Sequence, residues 1–297
     1  SIGVAEGDVR MVKGETRASC DSATIFDEEG KAHLSGNPRA TNGSSSMSGD
    51  LMELRYNENE VERIVLPEKG RLTQAPAAGS PWKEDSWIEG DSIAIFLSDE
   101  KVDSVAIVSN AKAMYYPVEG DANKVSNNFS TGDNMFFMFK NEELAYIRMS
   151  GASTGLYRYV NLAPRETTDS LASTIDSTLV FKSFARRNER VQYSADRIEY
   201  FADTENVLLR GNAVLKYQNS SLEASRIDFN SDLNLLEATG DPVLEEDGQR
   251  VYGLDMGYDM DNAGGWWSTA PRSTVRDTTR ETISSRSART CSRCTTP

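Results

Sequence analysis

Apolar and polar residues alternate along most of this chain, and the alternation comes in paired short runs. From Gly90 to Val108, Ile93, Ile95 and Leu97 fall on one face of an extended segment, with Ala94 and Phe96 on the other. Ser98-Asp99-Glu100-Lys101 turns the chain, and Val102, Val105 and Ile107 bring it back. A side-chain period of two marks half-buried strands, so the segment predicts a hairpin. The same reading holds for Met135, Phe137 and Phe139 before Lys140-Asn141-Glu142, and for Ile198 and Tyr200 before Asp203-Thr204-Glu205. Turns rich in Asn, Asp and Glu suit hairpin loops. No segment of useful length has helical periodicity.

The hairpins share an opening in which a small residue and an Asp precede the first apolar run. It occurs at Cys20-Asp21, Gly49-Asp50, Gly90-Asp91, Gly132-Asp133 and Ala195-Asp196, with a looser copy from Ser225. Asp50, Asp91 and Asp133 are spaced by 41 and 42 residues. A strand-turn-strand unit repeated this often predicts a stacked all-β array of antiparallel strands. An Asp at a strand entry can bond nearby backbone N–H groups and fix a corner, so these carboxylates read as structural. The pattern stops between Asn161 and Arg190, where polar residues and Pro164 predict a linker. The chain thus divides into repeats over 1–160, a linker over 161–190 and a second block over 191–265.

Composition removes several function classes. With 32 basic and 46 acidic residues the net charge is −14, which argues against sequence-independent nucleic-acid binding. No apolar run approaches the roughly 18 residues a membrane-spanning helix needs. No signal peptide is visible, and the strand pattern starts almost at Ser1, so we expect the interior of a longer protein. Cys20 reads as a small buried strand residue. Cys291 and Cys294 have zinc or redox spacing, but a lone pair is a weak signal. His33 reads as a strand-surface residue with no second ligand or base beside it. There is no Gly-rich phosphate loop and no G-x-S-x-G elbow. We therefore expect no enzyme, no metal site and no cofactor.

The apolar load is unusual. Met135-Phe136-Phe137-Met138-Phe139 is unbroken, and Met114-Tyr115-Tyr116 adds to it. These residues either fill a sandwich core or line an apolar groove between two sheets. An open groove would hold an acyl chain at about 25 cal/mol per Å2 of apolar surface buried.

Val191 to Gly265 carries Ala195-Asp196, then Gly211-Asn212-Ala213 followed by Val214 and Tyr217, then Leu222-Glu223-Ala224, Ala238-Thr239-Gly240 and Gly253 through Asp259. This set resembles the OstA-like family, which includes LptA and the N-terminal part of LptD in lipopolysaccharide transport. Residues 5–160 resemble more divergent copies, since Gly36-Asn37-Pro38 and Ser109-Asn110-Ala111 echo Gly211-Asn212-Ala213. The resemblance implies an open, twisted β-jellyroll in two blocks. It implies a periplasmic lipid conduit near the outer membrane of a Gram-negative bacterium, with lipid A acyl chains inside. The expected groove residues are Ile93, Ile95, Leu97, Met135, Phe137, Phe139, Ile198 and Tyr200. The expected partners are lipopolysaccharide or a related lipid, and other jellyrolls joined by edge-strand pairing near Val4–Val12. The strand around Tyr252–Tyr258 should meet whatever follows Gly265, which could include an outer-membrane barrel.

Lipopolysaccharide is anionic and this chain is acidic. Its transport would rest on acyl-chain burial or on local cations such as Arg186, Arg187 and Arg190. Rival readings are a structural β-solenoid or surface adhesin, sealed by side chains, and a carbohydrate-active β-helix with acids clustered on one face. After Gly265 the composition turns to Ser, Thr and Arg, so residues 266–297 are expected to be unstructured or translated out of frame. In a frame moved back one base, one codon choice from Trp267 onward restores strand-like alternation. Cys291 and Cys294 would then carry no chemistry.

Overall fold

The computed structural model describes residues 1–58, 60–76, 80, 82–116, 124–141, 143–161, 188–230, 233, 235–246, 248–259, 264–268 and 281–284. Two compact units divide it, Ser1–Tyr193 and Ser194–Pro297. The expectation of an all-β chain holds: among the described residues the only other element is a single 3-10 turn at Asp27–Glu29. The linker expected over 161–190 lies mostly outside the described residues, and strand resumes at Asn188.

The first unit opens with β1 (Ile2–Lys13), β2 (Thr16–Phe26), β3 (Lys31–Ser35), β4 (Arg39–Asn42) and β5 (Ser45–Ser48). It continues through β6 (Leu51–Tyr56), β7 (Val61–Leu66), β8 (Gly70–Gln74), β9 (Ser86–Gly90) and β10 (Ser92–Ser98). It ends in three long strands, β11 (Lys101–Tyr115), β12 (Lys124–Lys140) and β13 (Glu143–Asn161), and enters β14 (Asn188–Phe201). All the registers are antiparallel.

Long strands fork this sheet into two walls. The C-terminal half of β2 pairs with β3, and its N-terminal half pairs with β4. From β3 the first wall runs through β6, β7 and β10 to the N-terminal half of β11. From β4 the second wall runs through β5, β8 and β9 to the C-terminal half of β11. The long strands β11, β12 and β13 then serve both walls, each interrupted at one corner where the register shifts.

The corners show why the Asp recurs. The backbone N–H groups of Asp21, Asp50, Asp91 and Ser225 donate to the facing carbonyls of Gly36, Glu68, Ser109 and Gly240 respectively. The next residue of that facing strand adopts a left-handed conformation: Asn37 at φ 52°, Lys69 at 48°, Asn110 at 53° and Asp241 at 59°. Its side chain closes the corner in three cases: Asn37 Nδ2, Lys69 Nζ and Asn110 Nδ2 donate to Asp21, Asp50 and Asp91 at 3.4, 2.7 and 2.7 Å. Asn tolerates this conformation better than most residues. A bulge with a left-handed residue bends the strand sharply, which carries the chain from one wall to the other.

The second unit repeats the device with β15 (Asn206–Tyr217), β16 (Ser220–Asn230), β17 (Leu235–Thr239), β18 (Val243–Glu246), β19 (Gln249–Tyr252) and β20 (Asp255–Asp259). Here β16 forks between β17 and β18, and Asn212 Nδ2 donates to Asp196 at 2.9 Å. Two further strands, β21 (Gly264–Ser268) and β22 (Glu281–Ser284), follow. They run into the 266–297 segment expected to be unstructured or translated out of frame. Trp266, Trp267 and Ser268 pair with Gly257, Met256 and Asp255 of β20, and β22 pairs with β21. An edge strand offers backbone donors and acceptors whatever the side-chain pattern, so pairing proceeds without alternation. Cys291 and Cys294 lie outside the described residues.

Candidate apolar interior and its rims

The first wall of unit 1 presents unbroken cross-strand rows. One runs Ala32, Leu54, Ile64, Ile95, Val105, Phe137, Ile147 across seven strands. The next contains Leu66, Ile93, Ile107, Met135 and Met149. Ile64, Ile93, Ile95 and Val105 are 0% exposed, and burial of each side chain contributes about 1.5–3 kcal/mol. Of the residues read from the sequence as a groove, Ile93, Ile95, Leu97, Met135 and Phe137 are buried and Phe139 is half-buried. Ile198 is buried and Tyr200 half-buried in the second unit, on the strand that opens it.

The facing wall is built of smaller groups. Its row runs Ala18, Ala40, Met47, Leu72, Ile88, Ala113, Ser130, Gly155. Small and large rows facing each other fill the interior without strain. At the end of unit 1 the small row meets Tyr193. A side chain at Gly155 would run into its ring, and its hydroxyl donates to Asn128 Oδ1 at 2.8 Å, with Ser130 Oγ at 3.4 Å. Burial pushes the Tyr193 pKa up, against the lowering effect of these two hydrogen bonds. Tyr193 had no signal in the sequence, where it follows a polar stretch; only the bare row of Ser130 and Gly155 makes room for it.

The corners close one side of the two walls. On the other side lie the hairpin turns, and among the described residues no strand pairing joins them there. A cleft of about 200 Å3 opens between these rims, lined by Met11, Val12, Lys13, Thr16, Ala18, Ile25, Leu54, Tyr56 and Val61. Lys13 bridges it: its ammonium donates to the Glu58 carbonyl at 2.5 Å and lies 5.6 Å from the Tyr56 ring centre. The Glu100 carboxylate lies against Gly14 from the next turn along.

Other singled-out residues fall where ordinary strand chemistry puts them. Cys20 is buried and free, and its burial raises its pKa. His33 is exposed, 3.2 Å from Glu53 and edge-on to Phe26. Arg190 is exposed, while Arg186 and Arg187 lie outside the described residues. Glu199, which alternation places on the surface, is only 5% exposed. Arg197, two positions earlier on the same strand, and Arg210 of β15 fold over it, at 2.7 and 3.7 Å, so the carboxylate is flanked by two guanidinium groups. Among the described residues no group of His, Cys, Asp and Glu could hold a metal ion. No helix there is long and apolar enough to cross a membrane.

A family model described as LptA/(LptD N-terminal domain) LPS transport protein matches residues 81–235, just over half of the 297-residue chain. No curated protein matches. Among solved structures, one similar chain is LptH from Pseudomonas aeruginosa, described as the LptA-homologous periplasmic component of the lipopolysaccharide transport device. The likeness has a TM-score of 0.35 at 20% identity, over 55% of this chain and 90% of that one.

Proposed function

The chain belongs to the LptA/(LptD N-terminal domain) family of lipopolysaccharide transport proteins, and we propose that its paired walls conduct lipid A acyl chains through the periplasm toward the outer membrane. One observation carries this reading. The apolar rows of the first wall are continuous across seven strands, and among the described residues the two walls are tied by backbone pairing at the corners alone. Walls joined on one side can part on the other. An acyl chain entering at the Met11–Val61 cleft would then exchange wall-to-wall contacts for wall-to-chain contacts, at little net cost in buried apolar area. The protein acts as a conduit, without catalysis.

Its neighbours follow from its edges. Among the described residues β1 is paired on one side only, to β2, and β20 already accepts the strand that begins at Gly264. Strand addition at such edges would seat a preceding jellyroll on β1 and continue the bridge beyond β20, into a barrel where the full protein carries one.

Photo-crosslinking residues at Ile93, Met135 and Phe137 test the path. They are expected to label lipopolysaccharide in cells, while Val108 and Met138, which face outward at 54% and 42% exposure, are not. Labelling confined to the outward pair would overturn the conduit and favour a sealed structural array.

A further inference from the structure

A cationic stripe runs along the outer face of the small-residue wall, and the proposed acyl path does not use it. It appears two residues beyond each left-handed corner. After the corners at Asp8, Asn37, Lys69 and Asn110, that position is Arg10, Arg39, Arg71 and Lys112. After the later corners at Ala152, Asn212 and Asp241 it is Thr154, Val214 and Val243. The fold therefore accepts a hydroxyl or an apolar group there, and four successive cations are not required by strand or corner.

Register aligns the four. Arg10 opposes Ser19, Ser19 opposes Arg39, Arg39 opposes Ser48, Ser48 opposes Arg71, Arg71 opposes Glu89, and Glu89 opposes Lys112. The cations stand on every second strand, roughly 10 Å apart by the usual strand spacing. Arg10 pairs with Asp8 and Arg71 with Glu89. Arg39 and Lys112 have no ion pair among the described residues, although the chain holds 46 acids against 32 bases. A cavity of about 440 Å3 opens over this part of the stripe, and Asn37, Asp91 and Asn110 also line it. Lys69 stands at its edge in the left-handed slot that Asn fills in the neighbouring repeats, at φ 48°, with its ammonium 2.7 Å from Asp50. A Lys in that conformation is uncommon, and such outliers gather at ligand sites.

We propose that this groove binds a phosphate-bearing saccharide. Arg39 and Lys112 supply uncommitted donors for phosphate oxygens, Arg in fork geometry and Lys as a point charge. The amides of Asn37 and Asn110 and the carboxylates of Glu89 and Asp91 suit sugar hydroxyls, which both donate and accept. Those carboxylates would repel a bare polyanion. Pro38 is the sole apolar side chain in the lining, so neither stacked bases nor an acyl chain finds a platform. The phosphate could be carried by a glycolipid head or by a free saccharide.

The test is an NMR titration of the isotope-labelled full chain with the phosphorylated oligosaccharide released from lipopolysaccharide by delipidation. Controls are the same oligosaccharide after phosphatase, and inorganic phosphate. The phosphorylated form is expected to shift amides around Arg39, Arg71 and Lys112, with both controls at least tenfold weaker. The Arg39→Gln/Lys112→Gln double variant should bind at least tenfold more weakly at an unchanged melting temperature, because no carboxylate loses a partner. Equal binding by inorganic phosphate, no shift at the stripe, or wild-type binding by the double variant would overturn the proposal. Intact lipopolysaccharide identifies the source: shifts at the same amides mean a glycolipid head, and their absence means a free saccharide. Crosslinking at Ile93 should be untouched by the double variant, so failure here and failure of the acyl path remain distinguishable.

Discussion

Asn110 shows how much one side chain decides. Its backbone sits at φ 53° and its amide holds the Asp91 carboxylate at 2.7 Å. Asn110→Gly keeps the backbone conformation and loses one exposed hydrogen bond, so a cost of about 0.5–1.5 kcal/mol is expected. Asn110→Val loses the bond and forces a β-branched residue into the left-handed region, adding about 1–3 kcal/mol. Urea denaturation of the two variants should rank them in that order; equal losses would mean that conformation is not what the position selects. Tyr193 makes a pH prediction. Its folded pKa is raised above 10.0 by burial, so as pH climbs past that value the unfolded chain loses the phenolic proton first. The contribution of Tyr193 is whole below the unfolded pKa and falls as pH rises toward the folded one. Tyr193→Phe should be less stable near neutrality, by about 1–2 kcal/mol for its lost hydrogen bonds. Its deficit should shrink under alkaline denaturation, and a deficit that grows with pH would contradict the buried placement.

At the scale of the element, β1 is the exposed edge. Among the described residues it pairs with β2 alone, and Ile2 and Val4 are 70% and 67% exposed. An exposed edge with free backbone groups on either side of its corner is a template for another strand. Proline removes one ladder donor. A proline scan over Val4–Val12 should therefore separate two classes. Where the N–H faces β2, the isolated fold loses stability. Where it faces away, the melting temperature holds and capture of a preceding jellyroll in a pull-down falls. Capture that survives every position would rule out strand addition at this edge. The glycines of β13 make a second point at this scale. Gly155 lies under the Tyr193 ring, so Gly155→Ala should cost about 1–3 kcal/mol of overpacking, recovered in part by adding Tyr193→Ala.

At the scale of the molecule, the prediction concerns the rims of unit 1. Lys13, at the turn between β1 and β2, reaches Tyr56 and Glu58 at the turn between β6 and β7. If the walls part to admit a chain, tying these rims together must stop passage. Cysteines at Lys13 and Glu58, joined by a short reducible crosslinker, should abolish lipopolysaccharide labelling at Ile93, and reduction should restore it. Labelling that persists in the locked protein would show that the lipid does not enter between these rims. Lys13→Met, which removes the bridge and keeps the stem, should leave the fold intact, since an exposed cation–π contact contributes only about 0.5–1 kcal/mol.

The period-two pattern alone determined the strands, the hairpin turns and which side chains share a face, because alternation is a local consequence of extended backbone. Ile93, Ile95, Met135 and Phe137 were legible for that reason, and so was the corner role of the recurring Asp. The sequence also carried the corner partners, in Gly36-Asn37, Ser109-Asn110 and Gly211-Asn212, but not the hydrogen bonds that join them to their Asp. Three things were decided only by the tertiary structure. Glu199 left the surface because Arg210 of β15 joins its strand neighbour Arg197 over it. Tyr193 found its place over Gly155, and the cations at Arg39, Arg71 and Lys112 fell into one row. Each depends on which strand lies beside which, and strand pairing joins residues tens of positions apart that no local pattern relates. β21 belongs to the same class, since a backbone ladder forms on an open edge without help from the side chains that mark a strand in sequence.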